Sequence, residues 1–138
     1  MVVLYLSVEK WVGNRNESDF IENPDWSQIE AAIHELDGKS KTLVTLGADD
    51  DTYMTVGGGE SGKYVVSVTF DNISFHNLVD LSKPDATEKL VVGGQEGIYP
   101  AKICVDLLRS LLATRTFAES GELDRLLVWQ EEESLVAV

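Results

Sequence analysis

The seven residues GGGESGK at positions 57–63 are the segment whose spacing most resembles a chemical motif. They fit the first seven positions of a phosphate-binding loop, in which backbone N–H groups hold phosphates and a following Ser or Thr ligates Mg²⁺. Tyr64 stands where that hydroxyl is needed, and the next residues, YVVSVTF, alternate as a strand does instead of opening a helix. The segment therefore predicts a hairpin loop. A small nucleotide-binding or hydrolytic protein that uses Gly57 to Lys63 is kept as an alternative.

Residue types for metal binding or nucleophilic catalysis are scarce. His34 and His76 are the only histidines, and neither lies in an HxxxH, HxH or CxxC pattern. Cys104 is the only cysteine, so no intrachain disulfide can form, and it falls on the apolar side of a predicted helix, where its thiolate is disfavoured. We therefore expect no catalytic residue, no cofactor and no bound metal.

Acidic residues form two clusters, at 49–51 in a predicted turn and at 131–133 after the last predicted strand. The aspartates lack the alternating ligands and downstream glutamate of an EF-hand loop, which disfavours a Ca²⁺ site. Solvated charge is one interpretation, and a rim that pairs with Lys or Arg of a basic protein is the other. Trp11, in a polar stretch, is the tryptophan best suited to such a contact. The candidate protein-binding residues are Trp11, Asp49, Asp50, Asp51, Glu131, Glu132 and Glu133.

The net charge of the whole chain also favours a basic protein as the partner. Among 138 residues, 24 acidic side chains against 11 basic ones give a formal charge of −13, shared between both halves of the chain. Such a field repels nucleic acid and anionic membranes and steers cationic partners into contact. Solubility alone would also account for it. The charge thus argues against direct binding of nucleic acid or membrane, and the oligomeric state stays open.

The first elements follow from hydrophobic periodicity. Alternation predicts an opening strand over 2–8. Asp25 followed by Gln28 predicts a capping box at the start of an amphipathic helix. The apolar stripe of that helix contains Trp26, Ile29, Ala32, Ile33 and Leu36.

Farther along the chain, a period of two predicts strands at 43–46, 52–56, 64–70 and 88–92, with a further strand within 73–81. A second helix is predicted over about 102–118, and a final strand within 123–130. The predicted apolar side of this helix contains Ile103, Cys104, Leu107, Leu108, Leu111 and Leu112. The order indicates an α+β fold, with a mostly antiparallel β-meander sheet packed by two main helices in a single domain, 1–138.

The chain carries no sequence signal for export. The first ten residues, MVVLYLSVEK, lack the basic start and long apolar run of a signal peptide. No stretch reaches the 18 apolar residues that a membrane span requires. We therefore expect a cytoplasmic protein.

The C-terminal two-thirds of the chain resembles the Imm-one family, the immunity proteins of bacterial polymorphic toxin systems. The resemblance rests on MTVGGG at 54–59, LVVGGQ at 90–95 followed by Tyr99-Pro100-Ala101, and a helix running into FAESGEL at 117–123. A strand ending at Trp129 completes the pattern. The matching glycines, Pro100, Phe117 and Trp129 are structural positions, so the resemblance assigns no binding residue.

The resemblance implies an α+β protein without enzymatic activity that is kept in the cytosol to neutralise a cognate toxin. It also points to a nucleic-acid deaminase as that toxin, because members of the family are commonly paired with such toxins. Occlusion of the toxin's substrate cleft by acidic and aromatic side chains is the leading hypothesis, because the charge suits a cationic partner. An acidic nucleic-acid mimic or adaptor, acting on a host DNA-binding protein, is a second alternative beside the nucleotide-binding protein.

Overall fold

The first helix begins where the sequence places its cap. In the computed structural model, which describes residues 1–132, helix α1 spans Trp26–His34. The side chain of Asp25 accepts a hydrogen bond from the backbone N–H of Gln28, and the Gln28 side chain accepts one from Asp25, so the predicted capping box is confirmed. Ile29 and Ile33 of the predicted stripe are fully buried. The capping pair and the apolar stripe together fix the position of this helix.

Ten strands accompany α1 and a second helix within the described residues, and all strand pairs are antiparallel. The predicted α+β class with a meander is confirmed, because β4, β5, β6 and β7 follow one another in both sequence and space. The strands are β1 (Tyr5–Val12), β2 (Arg15–Asn16), β3 (Asp19–Glu22), β4 (Lys41–Gly47), β5 (Tyr53–Gly58), β6 (Tyr64–Thr69), β7 (Phe75–Val79), β8 (Thr87–Val92), β9 (Gln95–Pro100) and β10 (Val128–Glu131).

The main sheet has the order β10-β7-β6-β5-β4-β1-β2, with β3 also paired to β1, while β8 and β9 form a separate hairpin. One face of this sheet carries the core. In β6, Tyr64, Val66 and Val68 are buried as the alternation predicts, and Val65 and Ser67 on the other face are only half-buried. Helix α1 and the second helix cover the buried face, since their apolar side chains join the same cluster.

The second helix, α2 (Leu107–Ser120), starts later than predicted. Residues 101–103 instead form a short 3₁₀ turn, and Asp106 is the N-cap, its side chain accepting from the Arg109 N–H. Cys104 therefore lies before the helix and not on its apolar side, although it is fully buried. The predicted start was wrong because the capping carboxylate at 106 sets the boundary and the apolar residues before it do not.

The predicted apolar face of α2 was also wrong in part. Leu108 and Leu112 are 66% and 46% exposed, whereas Ser110 and Thr114 are fully buried. The two hydroxyls donate to the backbone carbonyls of Asp106 and Ser110, four residues earlier, which satisfies them inside the core. Small residues let the helix approach the sheet closely. The buried face contains Ser110, Ala113, Thr114, Phe117 and Ala118.

Five strands differ substantially from the prediction, and two of them, β2 and β3, were not predicted at all. The opening strand runs over Tyr5–Val12 and not 2–8, because pairing with β4 continues through its polar second half. The final strand starts only at Val128, after a turn in which the Leu127 N–H donates to the Asp124 carbonyl. Strand β9 was missed, since its sequence QEGIYP shows no clean alternation and gains its order from the register with β8.

The hairpin of β8 and β9 packs on the outer face of the main sheet, opposite the helices. Its close approach uses glycine: a Cβ built on Gly57 of β5 would lie 2.4 Å from Val92, and one on Gly94 would lie 2.3 Å from the Trp11 indole. The glycines that the sequence presents as turns therefore also allow two layers to meet. The hairpin covers the end of the sheet where β1 finishes.

Candidate functional site

The antiparallel register brings three acidic segments to one end of the main sheet. Gly47, Tyr53, Thr69 and Phe75 are directly paired across β4 to β7, so the loops 48–52 and 70–74 leave the sheet side by side. Strand β10 finishes at the same end, because Glu131 pairs with the second residue of β7. We call this the acidic end; its residues are Asp49, Asp50, Asp51, Asp71, Glu131 and Glu132, and all six are exposed.

The charge of the acidic end is not balanced locally. Residues 47–53, 69–75 and 130–132 contain no Lys or Arg. In the part of the chain that the structure describes, none of the six carboxylates takes part in an ion pair. Across the sheet, the distance from the loop 48–52 to β10 is about three and a half strand spacings, or about 17 Å. A broad anionic surface therefore faces the solvent there.

Two of these carboxylates are held in place by their own loops. Asp49 Oδ1 accepts hydrogen bonds from the backbone N–H groups of Asp51 (2.9 Å) and Thr52 (2.8 Å). Asp71 Oδ1 accepts from Ile73 (2.9 Å) and Ser74 (2.8 Å) in the same geometry. These backbone hydrogen bonds lower the pKa of both aspartates, so their charges are retained in mildly acidic solution.

Aromatic side chains lie directly beside the acids. The Tyr53 hydroxyl donates to Asn72 Oδ1 at 2.7 Å, and its ring meets the edge of Phe75 with centroids 6.3 Å apart. Tyr5 stacks on Phe20 at 5.5 Å, and Phe20 is 61% exposed. Aromatic side chains are enriched at protein interfaces, and charges at the rim of an interface act mainly on the association rate.

A row of polar side chains crosses the outer face of the sheet just behind the acidic end. Its members are paired directly, strand to strand, and none of them is buried. An open sheet face of hydroxyls and amides is suited to a polar contact. From β1 to β10 the row contains Ser7, Thr45, Thr55, Ser67, Asn77 and Gln130.

The structure brings together most, but not all, of the candidate residues from the sequence. The aspartates 49–51 meet Glu131 and Glu132 at the acidic end, whereas Trp11 lies at the opposite end of the sheet, against the Gly94 turn. Glu133 lies outside the described residues. The sequence analysis missed Asp71, for which the Asp-Asn pair at 71–72 was an available turn signal.

The glycine-rich segment does not form a phosphate cradle. Gly59, at φ +106°, turns the chain into a short 3₁₀ turn (Glu60–Gly62), and strand β6 follows at once, as predicted, where a phosphate-binding loop needs a helix. The Lys63 ammonium pairs with Glu88 of β8 at 2.5 Å. The segment therefore connects two strands and ties the β8–β9 hairpin to the sheet.

The residues of classical catalytic chemistry are dispersed. Burial raises the pKa of the Cys104 thiol to about 11, with the neighbouring Glu88 carboxylate acting in the same direction. Within residues 1–132, no three side chains of His, Cys, Asp or Glu are grouped so that they could hold a metal ion. None of the helices described is long and apolar enough to cross a membrane.

The fold and the charge distribution define a strand-dominated α+β protein with an acidic surface at one end of its sheet. The family model of the Imm1 immunity proteins matches residues 18–131, which is most of the chain, and the chain belongs to this family. It is accordingly an immunity protein, of a family that acts against toxins and is generally non-enzymatic. Comparison with curated proteins and with solved structures gave no significant match.

Proposed function

We propose that this protein binds a cognate toxin that acts on nucleic acid, a deaminase of a polymorphic toxin system, and blocks its substrate cleft in the cytoplasm of the producing bacterium. Family membership supports the toxin as partner. The single observation that supports the target class is the acidic end, where six exposed carboxylates stand without a cation. The proposed contact residues are those of the acidic end, together with Phe20 and Tyr53.

The physical argument is competition for the same cationic surface. An enzyme that holds DNA or RNA needs Lys and Arg along its substrate groove, because most of the binding energy comes from phosphate contacts. Carboxylates spread over about 17 Å can pair with several of those side chains at once. Backbone hydrogen bonds already order Asp49 and Asp71, so less side-chain entropy is lost when the toxin binds.

The two alternatives gain less support. Nucleotide binding loses its geometric basis, because strand β6 follows the glycine-rich segment and Lys63 is paired with Glu88. An acidic mimic that acts on a host DNA-binding protein would share the electrostatics of the acidic end. It would, however, bind partners other than the toxin encoded beside its gene, so the identity of the partner separates it from an immunity protein.

The test is co-expression and co-purification with the toxin encoded by the neighbouring gene. We expect a stable complex and survival of cells that make both proteins. A variant with Asp49, Asp50 and Asp51 all changed to Asn should associate with the toxin about tenfold more slowly, because Asn keeps the loop acceptors while the charge is lost.

The matched control changes Glu30→Gln, Asp85→Asn and Glu96→Gln together. These acids are exposed, take part in no ion pair among the described residues, and belong to other parts of the fold, namely α1, the loop before β8, and β9. The control alters the net charge by the same amount and should change the association rate much less. Failure of the wild-type protein to bind or protect would refute the proposal, and equal effects of the two triple variants would refute the assigned surface.

A further inference from the structure

An open groove of about 660 Å³ lies on the outer face of the sheet, next to the acidic end. Ser67 of β6 and Asn77 of β7, from the polar row, form its floor. Ile98 and Tyr99 of the β8–β9 hairpin form its wall, so the groove is the step between the two layers of strands. Its volume falls within the range of about 300–1,000 Å³ found for ligand sites.

The mouth of the groove is acidic and its wall is apolar. Glu131 and Glu132 of the acidic end line one side, and Lys102 is the one cation among the lining residues that the structure describes. Ile98 is 69% exposed, which leaves apolar surface uncovered, and Tyr99 is half-buried beside it. Apolar surface next to carboxylates suits a side chain with an apolar stem and a cationic head, which is the chemistry of Lys and Arg.

The edge of the sheet indicates the shape of the occupant. β10 is an edge strand that pairs only with β7 among the described strands. Its residues Gln130 and Glu131 form part of the groove, and just after the strand the Glu132 N–H donates to the Phe75 carbonyl of β7. Within residues 1–132, the backbone groups of β10 that face away from β7 have no strand partner, so an extended segment of another chain can pair with them.

We propose that this groove receives an extended segment of the toxin that carries Lys or Arg, with its cationic head at Glu131 and Glu132 and its stem against Ile98 and Tyr99. The proposal rests on the proposed function and assigns the groove a distinct role within it. The acidic end attracts the toxin, which sets the association rate. The groove holds one segment of the toxin, which sets the dissociation rate.

The first test fills the groove and measures binding of a catalytically inactive form of the neighbouring toxin domain by surface plasmon resonance. Ser67→Phe places a ring on the groove floor and is compatible with a strand. Val12→Phe is the control, because Val12 is an exposed strand residue at the end of the sheet opposite the acidic end, on β1, which lies three strands from β6.

We expect Ser67→Phe to dissociate at least tenfold faster with an association rate within about twofold of wild type, and Val12→Phe to dissociate as wild type does. Unfolding in urea checks that both variants keep their fold. If Ser67→Phe dissociated at the wild-type rate, or if both variants dissociated faster by the same factor, the assigned role of the groove would be refuted. The proposed function would stay intact. No binding by the wild-type chain would overturn both.

The second test identifies the occupant. Gln130→Cys, labelled with a benzophenone maleimide, should cross-link to the inactive toxin at a segment that contains Lys or Arg. Cys104 is fully buried and its raised pKa makes it unreactive in the folded chain, so the label goes to position 130. Asn14→Cys, on an exposed turn at the other end of the sheet, is the control that should give no cross-link. A cross-link from position 130 to a segment without Lys or Arg would contradict the proposal.

Discussion

Asp37 organises the turn between α1 and β4 through its carboxylate. Burial opposes ionisation of this group, but hydrogen bonds from the backbone N–H groups of Lys39, Lys41 and Ser40 more than compensate, and its pKa is lowered. A carboxylate with a lowered folded-state pKa stabilises the fold above its unfolded pKa of about 3.9, and the stabilisation is lost as pH falls through the folded pKa.

Asp37→Asn should therefore lower the free energy of unfolding by about 0.5–1 kcal/mol at pH 7, since the neutral amide accepts weaker hydrogen bonds. The difference from wild type should shrink as the pH is taken below about 4. Urea unfolding between pH 3 and 7 measures both values. Asp50→Asn is the control: the Asp50 carboxylate accepts no hydrogen bond among the described residues, so this variant should keep nearly the wild-type free energy of unfolding at pH 7. A gap for Asp37→Asn that is constant over this range would contradict the assigned role of the charge.

The Trp11 indole packs directly against Gly94. Both Gly93 (φ +62°) and Gly94 (φ +78°) have left-handed backbone, but a Cβ on Gly93 meets nothing closer than 3.6 Å, whereas one on Gly94 meets the indole at 2.3 Å. Gly93→Ala should cost about 1–2 kcal/mol for the backbone alone. Gly94→Ala should cost about 2–4 kcal/mol, because overpacking adds to the strain. Equal losses of unfolding free energy in the two variants, measured in urea, would show that the contact with Trp11 makes no contribution to the cost of Gly94→Ala.

At the scale of elements, helix α2 gives the clearest contrast between the two sides of one helix. Phe117 is fully buried, whereas Leu112 points to solvent. Phe117→Ala should cost about 3–5 kcal/mol, and Leu112→Ala less than about 0.5 kcal/mol. Thermal unfolding of the two variants is sufficient to rank them. A large loss of stability in Leu112→Ala would instead support the apolar helix face that the sequence pattern predicted.

Elements that carry local sequence signals were predicted correctly, whereas elements that form only by pairing with another strand were not. The cap and stripe of α1 are local signals, so they could be read directly. The alternating strand β6 was equally clear. Strand β9 and the polar half of β1 gain their order from partners, which no local pattern encodes. The face of α2 was misassigned because leucines outweighed the buried Ser110 and Thr114, whose hydroxyls bond within the helix.

At the scale of the whole molecule, acids and bases are distributed unevenly along the strand direction. The ion pairs Lys41–Glu35 and Lys63–Glu88 lie at the end of the sheet opposite the acidic end. Clusters 49–51 and 131–132 were visible in the sequence, but their meeting could not be predicted, because it depends on the register from β4 to β10. For the same reason Trp11 was grouped with residues that lie at the far end.

This uneven charge predicts a strong effect of salt on toxin capture. Raising the ionic strength from about 0.01 to 0.5 M shortens the Debye length from about 30 Å to a few ångströms. We expect the association rate to fall about tenfold or more, while the dissociation rate changes less than about threefold. Stopped-flow mixing with the inactive toxin measures both. An association rate that is indifferent to salt would leave solubility as the explanation of the acidic composition.

The six acids of the acidic end, with no Lys or Arg in the same segments, also give the molecule an electric dipole component along its strands. In the field of a cationic toxin, this moment exerts a torque that rotates the protein while it is still diffusing. The acidic end, and the groove beside it, then arrive facing the toxin. With the cationic toxin proposed above, a larger share of collisions would be productive, so the protein would capture it at a lower concentration than an isotropic surface of the same net charge would require.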